Sequence, residues 1–267
     1  MRYLVDHDYH IHSQLSRCSH DPLQTPEAIL EYGRQNGYRR LCLTDHFWEK
    51  PPEGVSRFYE GQDFAHVCQC LPLPQGDGIE FLFGVETEMT KDGVIGVLPE
   101  HYDAFDFIVI PISHFHMVGT SISHEDAKTP EGKADAFLRK LAMVLDQPLP
   151  FHKVGLAHLI NGFFGREDVA LYRRVIELIL SREELLDLLS KAATVGVGIE
   201  LNTACLKTPE VEDLTVRFYS LAKDLGCKFY FCTDAHHPEG FQGAKAICER
   251  VVDLLGLTED DKFHIGK

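Results

Sequence analysis

Short apolar runs alternate with longer amphipathic segments along almost the whole chain. A first run leads into Tyr9-His10-Ile11-His12. Others lie at 40–43, 80–84, 107–110, 154–157, 197–201 and 228–232; their length and their β-branched and aromatic content predict buried strands. Between them, Thr25-Pro26-Glu27 reads as an N-cap, a proline in the first helical turn and an early acid. That helix runs to about Asn36, where Gly37 supplies the stop. Further helices are predicted near 133–145, 168–180, 182–194 and 244–255, and from Thr208-Pro209 to about Gly226. Residues 47–80 break the alternation with Pro51-Pro52, Gly54, Pro72, Pro74 and Gly76-Asp77-Gly78, and predict an irregular excursion over the face where strand two ends. Seven strands, each followed by a crossover, predict an α/β fold: one domain over 1–267, a distorted (β/α)7 TIM-like barrel with its site at the C-terminal ends of the strands.

The residues at those strand ends share one kind of chemistry. His10 and His12 stand two apart, so in an extended segment both side chains point the same way, as two ligands of one ion must. The pattern recurs at Thr44-Asp45-His46, Gly84-Val85-Glu86, Ser113-His114, Ala157-His158, Glu200 and Asp234-Ala235-His236. Asp8 is expected to orient His10 or His12. Asp45 reads equally as a cap or as a support for a ligand, and His116 and His237 neighbour candidate ligands. Neutral imidazoles with two carboxylates favour zinc, iron or manganese over magnesium, which prefers oxygen ligands.

Composition narrows the class. With 267 residues, 44% of them apolar, the chain is an ordinary globule. No stretch nears the roughly 18 apolar residues of a membrane span, and the start lacks a signal-peptide core, so a cytoplasmic protein with no membrane partner is expected. The eight cysteines have no paired C-x-x-C spacing and read as reduced, mostly buried thiols. A net charge of −15 argues against a surface that grips nucleic acid, but a cluster of divalent ions inside an acidic protein still attracts an anionic substrate.

The ordered set spans nearly the whole chain: His10-x-His12, His20 in the next loop, Thr44-Asp45-His46, Gly84-Val85-Glu86, His114, His158 and Asp234-x-His236. In this it resembles the polymerase and histidinol phosphatase (PHP) family of metal-dependent phosphoesterases. The resemblance implies two to three divalent metals. One would be held by His10, His12, Glu86 and Asp234; a second by Glu86, His114 and His158, with Glu86 bridging; a third by His20, His46 and His236. The loop from His12 to His20 is longer than the family's usual spacing. The resemblance also implies hydrolysis by a hydroxide held between ions, with Glu86, Asp234 and His236 as catalytic groups and Asp234 or His236 as proton donor.

The segment Gly198-Ile199-Glu200-Leu201-Asn202-Thr203 with Lys207 is similar to stand-alone histidinol-phosphate phosphatases, with Lys207 where they carry a phosphate-contacting arginine. Lys207 and Arg166 are the expected substrate contacts. A small phosphomonoester is the expected substrate, L-histidinol phosphate first. A phosphodiesterase or exonuclease of the same family is the alternative. A silent interaction module would have lost ligands, and all nine positions are filled.

Overall fold

The computed structural model describes residues 1–165, 167–203 and 208–266. Seven parallel strands pair in chain order: β1 (His7–Ile11), β2 (Arg40–Phe47), β3 (Glu80–Thr87), β4 (Phe107–Pro111), β5 (Val154–Ala157), β6 (Gly198–Asn202) and β7 (Lys228–Cys232). Among the described residues seven α-helices accompany them: α1 (Pro26–Asn36), the short α2 (Phe64–Val67), α3 (Pro130–Leu145), α4 (Val169–Leu180), α5 (Glu184–Val195), α6 (Glu212–Asp224) and α7 (Ala244–Leu255). The result is a nearly closed α/β barrel of the TIM-like kind.

Its last seam, between β7 and β1, is closed partly by side chains. Asp234 N–H donates to His10 O at 2.8 Å and His12 N–H to Ala235 O at 3.1 Å. Lower down, His7 Nε2 accepts the Phe231 N–H and Asp8 Oδ1 accepts the Thr233 N–H, each at 3.1 Å. Imidazole and carboxylate thus satisfy buried amides that a ladder would otherwise pair.

Alternation along the strands separates two cores. Cys42, Val109 and Tyr230 pack together with Tyr9, Phe107 and Phe263 on the inner face, while Leu41, Leu43, Ile108, Ile110, Phe229 and Phe231 face the helices. The interior is full: a Cβ on Gly155 would lie 2.5 Å from both the Phe107 ring and the Tyr230 hydroxyl. Tyr9 packs inward and Ile11 outward although they are two apart. A register shift between Asp8 and Ile11 accounts for this change of face.

Several boundaries differ from the sequence reading. β2 and β3 continue past Leu43 and Gly84, because the parallel ladder runs on through His46↔Glu86 to Phe47↔Thr87. α3 begins before 133: Thr129 is its N-cap, accepting the Gly132 N–H, and Pro130 opens its first turn. At Pro209 the same signal starts a 3-10 turn, Pro209–Val211, and α6 follows it. The 47–80 segment is irregular, with two 3-10 turns around α2. No helix among the described residues is long and apolar enough to cross a membrane. The seven described cysteines are free thiols, and Cys205 lies outside the described residues.

Candidate metal centre

Glu86, 1% exposed near the end of β3, is the hub of the site. Its Oε2 lies 3.5 Å from His10 Nε2, 3.4 Å from His12 Nε2 and 2.8 Å from His46 Nδ1. Its Oε1 lies 3.6 Å from His114 Nε2 and 3.5 Å from His158 Nε2. Asp234 faces it, with Oδ1 3.1 Å from His12 Nε2 and Oδ2 3.5 Å from His158 Nε2. His158 and Asp234 both have left-handed backbones, φ 56° and 53°. Non-glycine residues rarely hold that conformation unless the surroundings impose it, and such strain gathers at functional sites.

The imidazoles are tied back so that one nitrogen is left for the centre. Ser16 Oγ donates its only proton to Asp45 at 2.7 Å, so it accepts from His12 Nδ1–H, 2.8 Å away, and the His12 Nε2 lone pair faces Glu86 and Asp234. His10 Nδ1 lies 2.7 Å from Glu200 Oε2, His114 Nδ1 lies 2.9 Å from Glu88 Oε2, and His236 Nδ1 donates to the Asp234 carbonyl at 2.8 Å. His46 is reversed: its Nε2 lies 3.2 Å from Cys18 Sγ and its Nδ1 points at Glu86. A hydrogen-bond partner on one ring nitrogen is what fixes a histidine as a metal ligand through the other.

The donor set fits divalent cations. Glu86 Oε1 and His46 Nδ1 are buried without a hydrogen-bond partner, although each faces groups of the cluster. Buried polar atoms are rarely left so unless something binds them. Ligand atoms gather as His12, His46 and His236; as His10, His12 and Asp234; as His10, His158 and Glu200; and as Glu86, His114 and His158.

Burial alone would push Glu86 up, but the His46 and His10 imidazoles outweigh it and hold the carboxylate well below its usual range. Burial opposes the charged form of His10, yet Asp234, Glu86 and Glu200 drive its pKa well above the ordinary value. Likewise His46 is carried to about 10, chiefly by Glu86, against its burial. His236 goes the other way, down to about 3, through burial and the neighbouring His12.

Eight of the nine expected ligands therefore converge. His20 does not: it is exposed and belongs to none of these groups, and from its loop Cys18 meets the His46 ring while Ser16 accepts the His46 backbone N–H. Asp8 orients no imidazole. It accepts from Thr233 N and Oγ1, from Tyr32 OH and, at 3.4 Å, from the His10 backbone, and so fastens the seam. Asp45 holds Ser13 and Ser16 and reaches His12 through Ser16. Lys207 and Arg166 lie outside the described residues. Glu200, Glu88, Ser16 and Cys18 also serve the site; of these only Glu200 stands out in the sequence, as an acid within a short apolar run.

A cleft of about 520 Å³ opens over the cluster. Glu86, His114, His158, Asp234 and His236 line its floor, and Ser56, Phe58 and Tyr59 from the 47–80 segment line it with His116, Met117, Phe163 and His237.

The PHP domain family model matches residues 8–204. No curated protein matches the sequence. Among solved structures, the histidinol phosphate phosphatase of Lactococcus lactis subsp. lactis Il1403, crystallised with zinc, L-histidinol and phosphate, is similar with a TM-score of 0.62 and 18% identity. The alignment covers 98% of this chain and 100% of that one, so the whole barrel is shared. The chain belongs to the PHP domain family and is a metal-dependent phosphoesterase.

Proposed function

We propose that this enzyme hydrolyses a small phosphomonoester, L-histidinol phosphate before others, to the alcohol and inorganic phosphate. The observation that carries the reading is the aim of the site: buried imidazoles tied back through one nitrogen, with the other turned on the two carboxylates of Glu86 and Asp234. His10, His12, Glu86 and Asp234 would hold one divalent ion, and Glu86, His114 and His158 a second. His46 and His236 would hold a third, with His12 rather than His20 beside them. When bound, zinc, iron or manganese supplies Lewis acidity and an acidified water at neutral pH.

The chain's own groups do the rest. Glu86 faces ligands on both sides and spaces the two loci. Asp234, despite its burial, is held far below the usual range by His10 and its other histidine neighbours, and His236 is shifted to about 3. Both are then proton-free at neutral pH, the state a ligand needs and a proton donor lacks. At the rim, the His116 and Phe163 rings stand 4.2 Å apart beside Met117 and Phe58, and offer flat and apolar surfaces to the ring of an alcohol such as histidinol.

The test is phosphate release from L-histidinol phosphate by purified protein, before and after dialysis against a chelator. Release should vanish with the metals and return with zinc or manganese. Undiminished release from metal-free protein would refute the reading.

A further inference from the structure

Lys140, on α3, is only 1% exposed, and lysine is almost never buried so deeply without partners. Its Nζ donates to Met89 O at 2.8 Å and to Ser121 Oγ at 2.6 Å, and lies 3.4 Å from Glu88 Oε1. Glu88, 0% exposed, turns its other oxygen to His114 Nδ1 at 2.9 Å. Neither residue lines the cleft, and the hydrolysis described above uses neither.

The arrangement runs from a helix outside the barrel to a ligand inside it. A carboxylate can only accept from His114 Nδ1–H, so it fixes the tautomer whose Nε2 lone pair points at Glu86 Oε1, 3.6 Å away. An isolated buried carboxylate would be costly and would add a second negative charge beside Glu86. The Lys140 ammonium cancels that charge, and its bonds to Met89 and Ser121 hold it in one place. Glu88 thus supplies direction to His114 without changing the net charge of the locus.

We propose that Lys140 and Glu88 are a positioning pair that fixes His114 as an Nε2 ligand and so sets the divalent-cation affinity of the Glu86–His114–His158 group. This rests on the reading that this group holds a metal. A purely structural ion pair predicts something different. Removing both charges of a buried pair is often close to neutral for stability, whereas removing one leaves an unpaired ion.

The experiment is a zinc titration of metal-free protein against a chromophoric chelator, with unfolding midpoints measured alongside. It compares wild type, Glu88→Gln, Lys140→Met and the double variant. Affinity at one zinc locus should fall about ten- to a hundredfold in each single variant that folds. In the double variant the unfolding midpoint should return towards wild type while the affinity stays reduced. If a single variant fails to fold, the double variant carries the test. Wild-type affinity in the double variant overturns the proposal and leaves the metal centre standing. Absence of zinc binding by the wild type overturns both.

Discussion

Glu200, at the centre of β6, presents one oxygen to His10 Nδ1 at 2.7 Å and accepts the His158 backbone N–H with the other at 3.1 Å. One buried carboxylate thus aims a histidine from β1 and anchors the left-handed residue that follows β5. Glu200→Gln keeps the shape but sets an amide where a charged acceptor stood. Turnover and zinc affinity should each drop about ten- to a hundredfold with the fold intact by circular dichroism. Unchanged zinc affinity would show that His10 needs no such support.

Glu86→Gln should be more damaging than loss of any one outer histidine, because its oxygens face ligands on both sides and a neutral amide bridges cations poorly. The expected loss in kcat is at least about a hundredfold, on the order of 3 kcal/mol in the barrier. Steady-state kinetics paired with elemental analysis checks it. Near wild-type turnover with full metal content would remove Glu86 from the bridging position.

The proton balance gives a signed prediction. In the metal-free site the carboxylates raise His10 well above its ordinary value and His46 to about 10. Both are protonated at neutral pH, so cations compete with protons there. Apparent affinity should fall as pH falls, and uptake should release protons, seen calorimetrically as a heat that varies with the buffer's ionisation enthalpy. For the metal-free fold these raised values add stability that is complete below about 6.5 and is lost as pH rises towards 10. The urea midpoint of chelated protein should therefore decline over that range. Metal uptake without proton release would contradict the pairing of these imidazoles with Glu86, Asp234 and Glu200.

Asp8 joins the barrel's ends rather than serving the metals. Asp8→Ala strips acceptors from the amides of Thr233 and His10 and from the hydroxyls of Thr233 and Tyr32. A loss of roughly 3 kcal/mol in unfolding free energy is expected, since each buried donor left unsatisfied costs about 1–3 kcal/mol. Equilibrium urea unfolding measures it. A change below about 0.5 kcal/mol would mean the seam does not depend on this carboxylate.

The strand order and the chemistry at strand ends were legible because both depend on local spacing: an apolar run, then His, Asp or Glu, then a capped helix. The extension of β2 through Thr44-Asp45-His46 was not, because those residues are polar and only the partner strand keeps them extended. Asp8 was misread for a related reason. Two residues from His10, it would share that histidine's face on a regular strand, but the register shift between Asp8 and Ile11 breaks the alternation. Glu200 and His10 are 190 residues apart in sequence, and Glu88 meets Lys140 across 52, so their pairing exists only once the barrel closes.

The activity proposed for this site is the hydrolysis of phosphomonoesters. Its most direct test is kcat/KM for L-histidinol phosphate beside a dinucleotide and single-stranded DNA, with the same zinc- or manganese-loaded protein at the same salt concentration. The monoester should be favoured by at least about a hundredfold, on the order of 3 kcal/mol of differential transition-state binding. Faster cleavage of either diester would contradict it and make the enzyme a nuclease.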